Sequence, residues 1–307
     1  MKKAVVTGGA GFIGSHLAEE LVRRGWQVII IDDLSTGKRR NIEELLDKIE
    51  FVEDSILDLT QLQKLFQGID FVFHHAAIPS VPRSIDNPLA SHEVNTTGTL
   101  NVLIAAKDNA VKKVIYASSA AVYGDNPSLP KREDMLPNPQ SPYAVTKLAG
   151  EYYCQAFREV YGLATACLRY FNVYGPRQDP DSQYAAVIPR FIKAASEGKT
   201  PIIFGDGEQT RDFIFVKDAV EANILTAESQ SCGVFNIGMG KSATINELAN
   251  LILSITGSKA KPVYQEPRPG DIRHSVADIS KAKGFGYEPK YKLEEGLRQT
   301  IKELKRR

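Results

Sequence analysis

The chain has 307 residues, 43% of them hydrophobic and 24% charged, and 38 basic side chains set against 37 acidic ones leave a formal net charge of +1. That balance generates no field to draw in nucleic acid or an anionic membrane, and no segment reaches the roughly 20 consecutive apolar residues of a membrane span. Cys154, Cys167 and Cys232 are odd in number and widely spaced, which fits free thiols better than a disulfide framework or a zinc site; with no signal-peptide pattern at the start, a reduced, cytoplasmic, soluble protein is expected.

Short apolar runs at 4–7, 28–31, 71–73, 114–117 and 164–168 read as buried parallel strands. Amphipathic patterns near 13–24, 59–66, 89–109 and 143–161 fit helices between them, and the alternation predicts an α/β fold with a doubly wound parallel sheet. After Asn172, Pro- and Gly-bearing loops separate shorter elements, as expected of a smaller, loop-rich C-terminal lobe. Runs at 213–216 and 234–237 still read as strands, so the chain is expected to cross back to the first lobe before it ends.

The first strand runs into Thr7-Gly8-Gly9-Ala10-Gly11-Phe12-Ile13-Gly14, with glycines at 8, 11 and 14. Glycines permit a tight turn and close backbone approach, and the start of the following helix offers free amides to a pyrophosphate. Eighteen residues beyond Gly14, Asp32 ends the second strand, where a carboxylate accepts both ribose hydroxyls of an adenosine and favours NAD over NADP. Lys38, Arg39 and Arg40 follow closely but read as a solvated loop rather than a 2′-phosphate site.

Tyr143 and Lys147 are four residues apart on one face of a predicted helix. An ammonium there can lower the phenol's pKa and leave a base for a hydroxyl proton. Ser118 and Ser119 close the strand at 114–117. His74 and His75 have no Cys or acidic partners at ligand spacing, and no metal site is assigned.

The glycine loop, Asp32, Ser118-Ser119, Tyr143-x-x-x-Lys147 and Tyr170-Phe171-Asn172-Val173-Tyr174-Gly175-Pro176 occur in this order across most of the chain. In this the chain resembles the extended short-chain dehydrogenase/reductase family. With Arg211-Asp212-Phe213 and Arg268-Pro269-Gly270-Asp271, it is similar to the nucleotide-sugar branch, in particular the UDP-glucose/UDP-N-acetylglucosamine 4-epimerases. The resemblance implies a Rossmann NAD-binding domain over 1–171, completed by 211–237, and a UDP-sugar-binding domain over 172–307. It implies that Tyr143 is the base, that Lys147 holds the nicotinamide ribose, and that Ser119 hydrogen-bonds the sugar oxygen being oxidised. The remaining cofactor contacts it implies are Gly8, Gly11, Phe12, Ile13, Gly14, Asp32, Ser55, Ile56, Ala76, Ala77, Asn95, Ser118 and Tyr170. Many relatives carry Gly-Asp-Ile where this chain has Asp54-Ser55-Ile56, which puts the carboxylate contact to adenine in doubt and leaves Ser55 to replace it. For the UDP-sugar, the resemblance implies Asn172, Arg211 and Arg268 at the phosphates, Asp271 at the uridine ribose, and Ile202 and Phe204 beside the uracil, with Ser80, Ala186 and Val187 in the sugar pocket. A homodimer paired through the helices near 89–109 and 143–161 is implied as well.

In the family's mechanism the 4-hydroxyl proton passes to tyrosine and hydride from C4 to NAD⁺, the transient 4-keto sugar turns, and hydride returns to its other face. Related dehydratases and decarboxylases carry acidic groups after the catalytic serine or threonine, whereas here Ser119 precedes Ala120 and Ala121. Methyl groups cannot move protons, so 4-epimerisation is expected. Ser275 occupies a gate position at which a tyrosine would exclude N-acetyl groups, which implies use of both acetylated and plain UDP-hexoses. A UDP-glucuronate 4-epimerase or decarboxylase is the nearest alternative, and a non-catalytic NAD-binding regulator is the alternative of another class.

Overall fold

The computed structural model describes residues 1–179, 186–267 and 272–304. Strand and helix alternate through the first half: β1 (Lys3–Thr7), α1 (Phe12–Arg23), β2 (Gln27–Ile31), β3 (Glu50–Val52), α2 (Leu59–Leu65) and β4 (Phe71–His74). α3 (Val81–Asp86) and α4 (Pro88–His92) lead through a π turn at Glu93–Thr97 into α5 (Gly98–Asp108), and β5 (Lys113–Ser119), α6 (Pro142–Tyr161) and β6 (Ala164–Tyr170) follow. The second half has β7 (Asn172–Tyr174), α7 (Val187–Ser196), β8 (Ile202–Phe204), β9 (Thr210–Arg211), β10 (Phe213–Phe215), α8 (Val216–Glu228) and β11 (Gly233–Ile237). β12 (Ala243–Thr244), α9 (Ile245–Thr256), β13 (Val263–Gln265), α10 (Ser280–Lys283) and α11 (Leu293–Leu304) complete it.

Seven strands form one sheet in the order β11-β6-β5-β4-β1-β2-β3, and every neighbouring pair is parallel. Alternate residues serve its two faces, as the twofold period of a strand dictates. Ala4, Val6, Val28, Ile30 and Ile115 belong to the core shared with α1 and α8, whereas Val5, Ile31, Val72, Val114 and Tyr116 pack into the core shared with α2, α5 and α6. Helices cover both faces, which is why the central strands read as near-continuous apolar runs. The sheet is the doubly wound parallel one expected. Connections run outward to either side of β1 and β4, and a crevice at the carboxyl ends of such strands is where this architecture binds ligands.

Differences from the sequence expectation lie at the edges and at one helix. β3 has no buried residue, so no apolar run announces it. The pattern at 89–109 is not one helix: the chain passes from α4 through the π turn into α5, an arrangement that single-turn π segments adopt, frequently at functional sites. The run at 213–216 pairs with β7 in a two-stranded parallel ribbon, whereas β11 returns to the large sheet beside β6. β8 with β13 and β9 with β12 make two further small ribbons. No helix among the described residues is long and apolar enough to cross a membrane. Cys154 and Cys167 are buried free thiols and Cys232 is half-buried.

Candidate active site

A cleft of about 630 Å³ opens at the carboxyl ends of β1, β2, β4 and β5, within the range of small-molecule sites. Gly8, with φ +68°, starts the glycine loop, and a Cβ there would lie 2.6 Å from the Ala76 amide. The loop and the segment after β4 therefore approach as closely as two backbones can. A side chain at Gly14 would strike the Gly8 carbonyl. Gly11 N-caps α1 without a side-chain hydrogen bond, so the helix begins with uncapped amides beside the cleft, the arrangement that receives a phosphate.

Asp32 is buried at the end of β2, where Oδ2 accepts from the Ala10 amide at 2.9 Å and Oδ1 from the Leu34 amide at 2.9 Å. Burial raises its carboxyl pKa, and these amides oppose the rise. Gly37 closes over it, and a Cβ there would come within 2.6 Å of the carboxylate. Sequence reasoning passed over Gly37, whose signal is only a turn-like Ser35-Thr36-Gly37. Lys38 is not an idle surface lysine: its Nζ donates to Asp179 at 2.6 Å across the cleft mouth and its amide donates to the Ala10 carbonyl. That pairing gives its charge a carboxylate partner.

Gly8, Gly11, Phe12, Ile13, Gly14, Asp32, Ile56, Ala76, Ala77, Ser80, Ser118, Tyr143, Lys147 and Tyr170 all line this one cleft. Two of the expected cofactor contacts stand elsewhere. Ser55 is not on the wall; its hydroxyl accepts from the Leu57 amide, and Asp54 lines the cleft in its place. Asn95 is buried behind the wall, where its side chain bonds both the amide and the carbonyl of Ile78 and donates to Thr146 Oγ1. It ties the π turn to α6 and to the segment after β4. Ile56 reaches the cleft over Gly98, where any side chain would collide with it.

α6 presents Tyr143 and Lys147. Ser141 caps it by accepting from the Ala144 amide, Pro142 occupies its first turn, and Gly162 ends it with φ 71°, in accord with the preferred chemistry of helix ends. Lys147 is 4% exposed, and its Nζ donates to the Ala117 carbonyl at 2.9 Å while standing 5.9 Å from the Tyr143 ring centroid. Burial lowers the ammonium pKa to about 8. The expectation that Lys147 depresses the phenol is not what the protein alone displays. Burial raises the Tyr143 pKa, and the opposing influence is its hydrogen bond with Ser119, because the ammonium is directed at a strand carbonyl instead. Ser119 Oγ also accepts from the Ala121 amide, which caps the turn at Ala120–Tyr123. Ser118 lines the cleft, but its hydroxyl points to Glu151 on α6. His75, which sequence reasoning set aside with the metal question, lines the cleft beside Tyr170, stacked at 6.0 Å. Burial lowers its pKa to about 4, leaving a neutral ring.

Of the expected substrate residues, Ser80 and Tyr143 line the cleft, and the described ones from Asn172 onward are not on its wall. Asn172 begins β7, Ile202 and Phe204 bound β8, Arg211 ends β9 with Nη1 donating to the Thr210 carbonyl, and Ala186 N-caps α7 just before Val187. The Ser275 amide donates to the Thr210 carbonyl, which sets Ser275 beside Arg211. Phe204 lines a shallow pocket with Gln209, Pro267 and Arg273. Arg268 and Asp271 lie outside the described residues. Among the described residues no group of three or more His, Cys, Asp or Glu side chains is placed to hold a metal ion.

A doubly wound sheet with a glycine-lined cleft, and with a buried Lys147 beside half-buried Tyr143 and Ser119 at its switch point, defines a dinucleotide-dependent enzyme of the short-chain dehydrogenase/reductase type. The sequence model of the NAD dependent epimerase/dehydratase family matches residues 4–238, and the chain belongs to that family. It is 47% identical to the UDP-N-acetylglucosamine 4-epimerase from Methanobrevibacter ruminantium M1, solved in complex with UDP-N-acetylmuramic acid, with a TM-score of 0.97 over 99% of this chain and 98% of that one. It is 42% identical to the UDP-glucose 4-epimerase of Thermotoga maritima, solved with UDP-glucose, with a TM-score of 0.95 over 99% of both chains. A relative of another activity, the UDP-N-acetyl-alpha-D-glucosaminuronate decarboxylase of Bacillus cytotoxicus, is 40% identical over 98% of this chain and 97% of its own length. NAD is the cofactor of the family, and the cleft fits it: the Gly8-Gly14 cradle leaves room only for backbone, and Asp32 offers a carboxylate where the adenosine ribose is recognised.

Proposed function

We propose that the chain is a UDP-hexose 4-epimerase that interconverts UDP-glucose with UDP-galactose and UDP-N-acetylglucosamine with UDP-N-acetylgalactosamine. Residues 1–171 with 211–237 hold NAD in this reading, and 172–307 hold the UDP-sugar. The observation that carries it is the meeting of Tyr143, Lys147 and Ser119 at the end of β5, beside the glycine loop. NAD, when bound, supplies a reversible acceptor for the C4 hydride.

The chain's own residues do the rest. Tyr143 takes the 4-hydroxyl proton and gives it back, and the Ser119 hydroxyl holds the same sugar oxygen and stabilises the phenolate. Lys147 adds a positive charge that favours that phenolate, an effect worth more in a buried site than in water. Arg211 and Arg268 neutralise the diphosphate with planar donors, so the nucleotide anchors one end while the hexose is free to turn. Ala120 and Ala121 cannot donate or accept protons, so the keto sugar has no neighbour at this point to drive elimination. Ser275 leaves space for a 2-acetamido group.

Use of UDP-glucuronate is the competing reading, favoured by the decarboxylase relative. NMR of purified protein incubated separately with UDP-N-acetylglucosamine, UDP-glucose and UDP-glucuronate decides between them. The first two should give their C4 epimers, and Tyr143→Phe should lower turnover by about 10²- to 10⁴-fold, the usual range for a general base. Conversion of UDP-glucuronate alone, or release of carbon dioxide from it, would overturn the proposal. Equal effects of wild type and Tyr143→Phe would point to a non-catalytic NAD-binding regulator. We also infer a homodimer through α4 and α6, supported by exposed Leu89, Val145, Tyr152 and Tyr153 on those helices.

A further inference from the structure

Glu151 lies one turn beyond Lys147 and two beyond Tyr143 on the buried face of α6. Its Oε1 accepts from Ser118 Oγ at 2.5 Å and from Arg169 Nε at 2.9 Å, and its Oε2 accepts from Arg169 Nη2 at 2.7 Å. Ser118, Glu151 and Arg169 are 3%, 4% and 3% exposed. Ser118 sits between Ala117, whose carbonyl receives Lys147 Nζ, and Ser119, which meets the Tyr143 phenol. Arg169 is the β6 partner of Ser118 in the sheet register, and its guanidinium lies 4.7 Å from the Tyr123 ring at the close of the turn that follows Ser119.

A buried ion pair adds little stability over apolar side chains of the same volume, because both charges must leave water. The rest of the guanidinium faces the Tyr123 side chain. What the pair does provide is a bidentate joint between helix, strand end and turn. We propose that Glu151, locked by Arg169, is a positioning residue that fixes the Ala117-Ser118-Ser119 end of β5 against α6 and so keeps Ser119 and Lys147 in register with Tyr143. This rests on the reading that those three residues carry the chemistry. Misplacement of reacting groups by a fraction of an ångström to one ångström loses up to about 10²-fold in rate, which sets the expected scale.

The test uses the NAD-loaded protein and three variants: Ser118→Ala, Glu151→Gln, and the double variant Glu151→Leu/Arg169→Met. Ser118→Ala should lower kcat about 10-fold and Glu151→Gln about 30-fold, with KM and bound NAD near wild type. The double variant should keep or exceed the wild-type melting temperature and still show the low kcat, which separates positioning from stability. Full kcat in the double variant, or losses of kcat that merely follow melting temperature or NAD content, would overturn the proposal. Should the wild type convert no UDP-hexose, the epimerase reading fails by itself. The joint is then read without substrate from the ¹³Cζ-tyrosine NMR signal of Tyr143, identified with Tyr143→Phe. A displaced signal in Ser118→Ala supports the joint, and an unmoved one rejects it.

Discussion

Lys147 is an ammonium taken out of water. Its pKa falls to about 8 from the ordinary 10.5 through burial, and at about 1.4 kcal/mol per unit this is a penalty of about 3 kcal/mol at neutral pH. Lys147→Met should therefore stabilise the protein by about 2 kcal/mol at pH 7, after allowance of about 1 kcal/mol for the lost bond to the Ala117 carbonyl, while turnover collapses. The sign follows from proton binding: between about pH 8 and 10.5 the unfolded lysine holds a proton that the folded one has released, so wild-type stability rises with pH through this group. The advantage of the methionine variant should shrink over that interval, which denaturant titrations at pH 7, 9 and 10.5 would measure. Ser275→Tyr is the second residue-scale prediction. UDP-N-acetylglucosamine turnover should fall at least about 10-fold while UDP-glucose turnover stays within about 3-fold, and equal turnover of both substrates before and after the change would dismiss the gate. Spacing was enough to place Tyr143 and Lys147 on one helix face. Where the ammonium points was not legible, because that depends on a carbonyl of a strand 30 residues earlier.

At the scale of the element, α6 seats on β5 through Gly150, where any side chain would collide with the Tyr116 hydroxyl. Gly150→Ala gains helix propensity yet should lose about 1–3 kcal/mol, the usual effect of overpacking. Because the same helix carries Tyr143 and Lys147, kcat should fall along with the melting temperature, and a crystal structure should show α6 displaced from β5. Burial periodicity made α1, α2 and α6 readable to within a residue or two of their observed limits. The interruption of 89–109 by a π turn was not readable, since the structure holds that turn with the long-range bonds of Asn95 to Ile78 and Thr146. β3 was missed for a related reason: none of its residues is buried, so pairing with β2 rather than hydrophobicity makes it a strand.

Over the whole molecule, the ends of parallel strands supply the cleft, and the candidate substrate residues from Asn172 onward stand on or beside small ribbons and helices. The first was legible because its signals are local: a glycine loop directly after a strand and an acid at the end of the next. The second was legible only by resemblance. Asn172, Ile202, Arg211 and Ser275 come from separate short segments, and the long-range bond of Ser275 to Thr210 sets Ser275 beside Arg211. The proposed dimer belongs to this scale too. Leu89 and Tyr152 are 80% and 57% exposed, and a Leu89→Glu/Tyr152→Glu variant should elute as a monomer in size-exclusion chromatography; an unchanged elution volume would place the interface elsewhere.

The central claim, that Tyr143 takes the 4-hydroxyl proton while the C4 hydride leaves to bound NAD and returns to the opposite face of the sugar, is tested most directly with UDP-N-acetylglucosamine deuterated at C4, incubated with the protein in ordinary water and followed by NMR and mass analysis. The account predicts UDP-N-acetylgalactosamine that keeps its deuterium at C4, with none lost to solvent. Epimer carrying hydrogen at C4 would contradict it, as would recovery of the starting sugar alone.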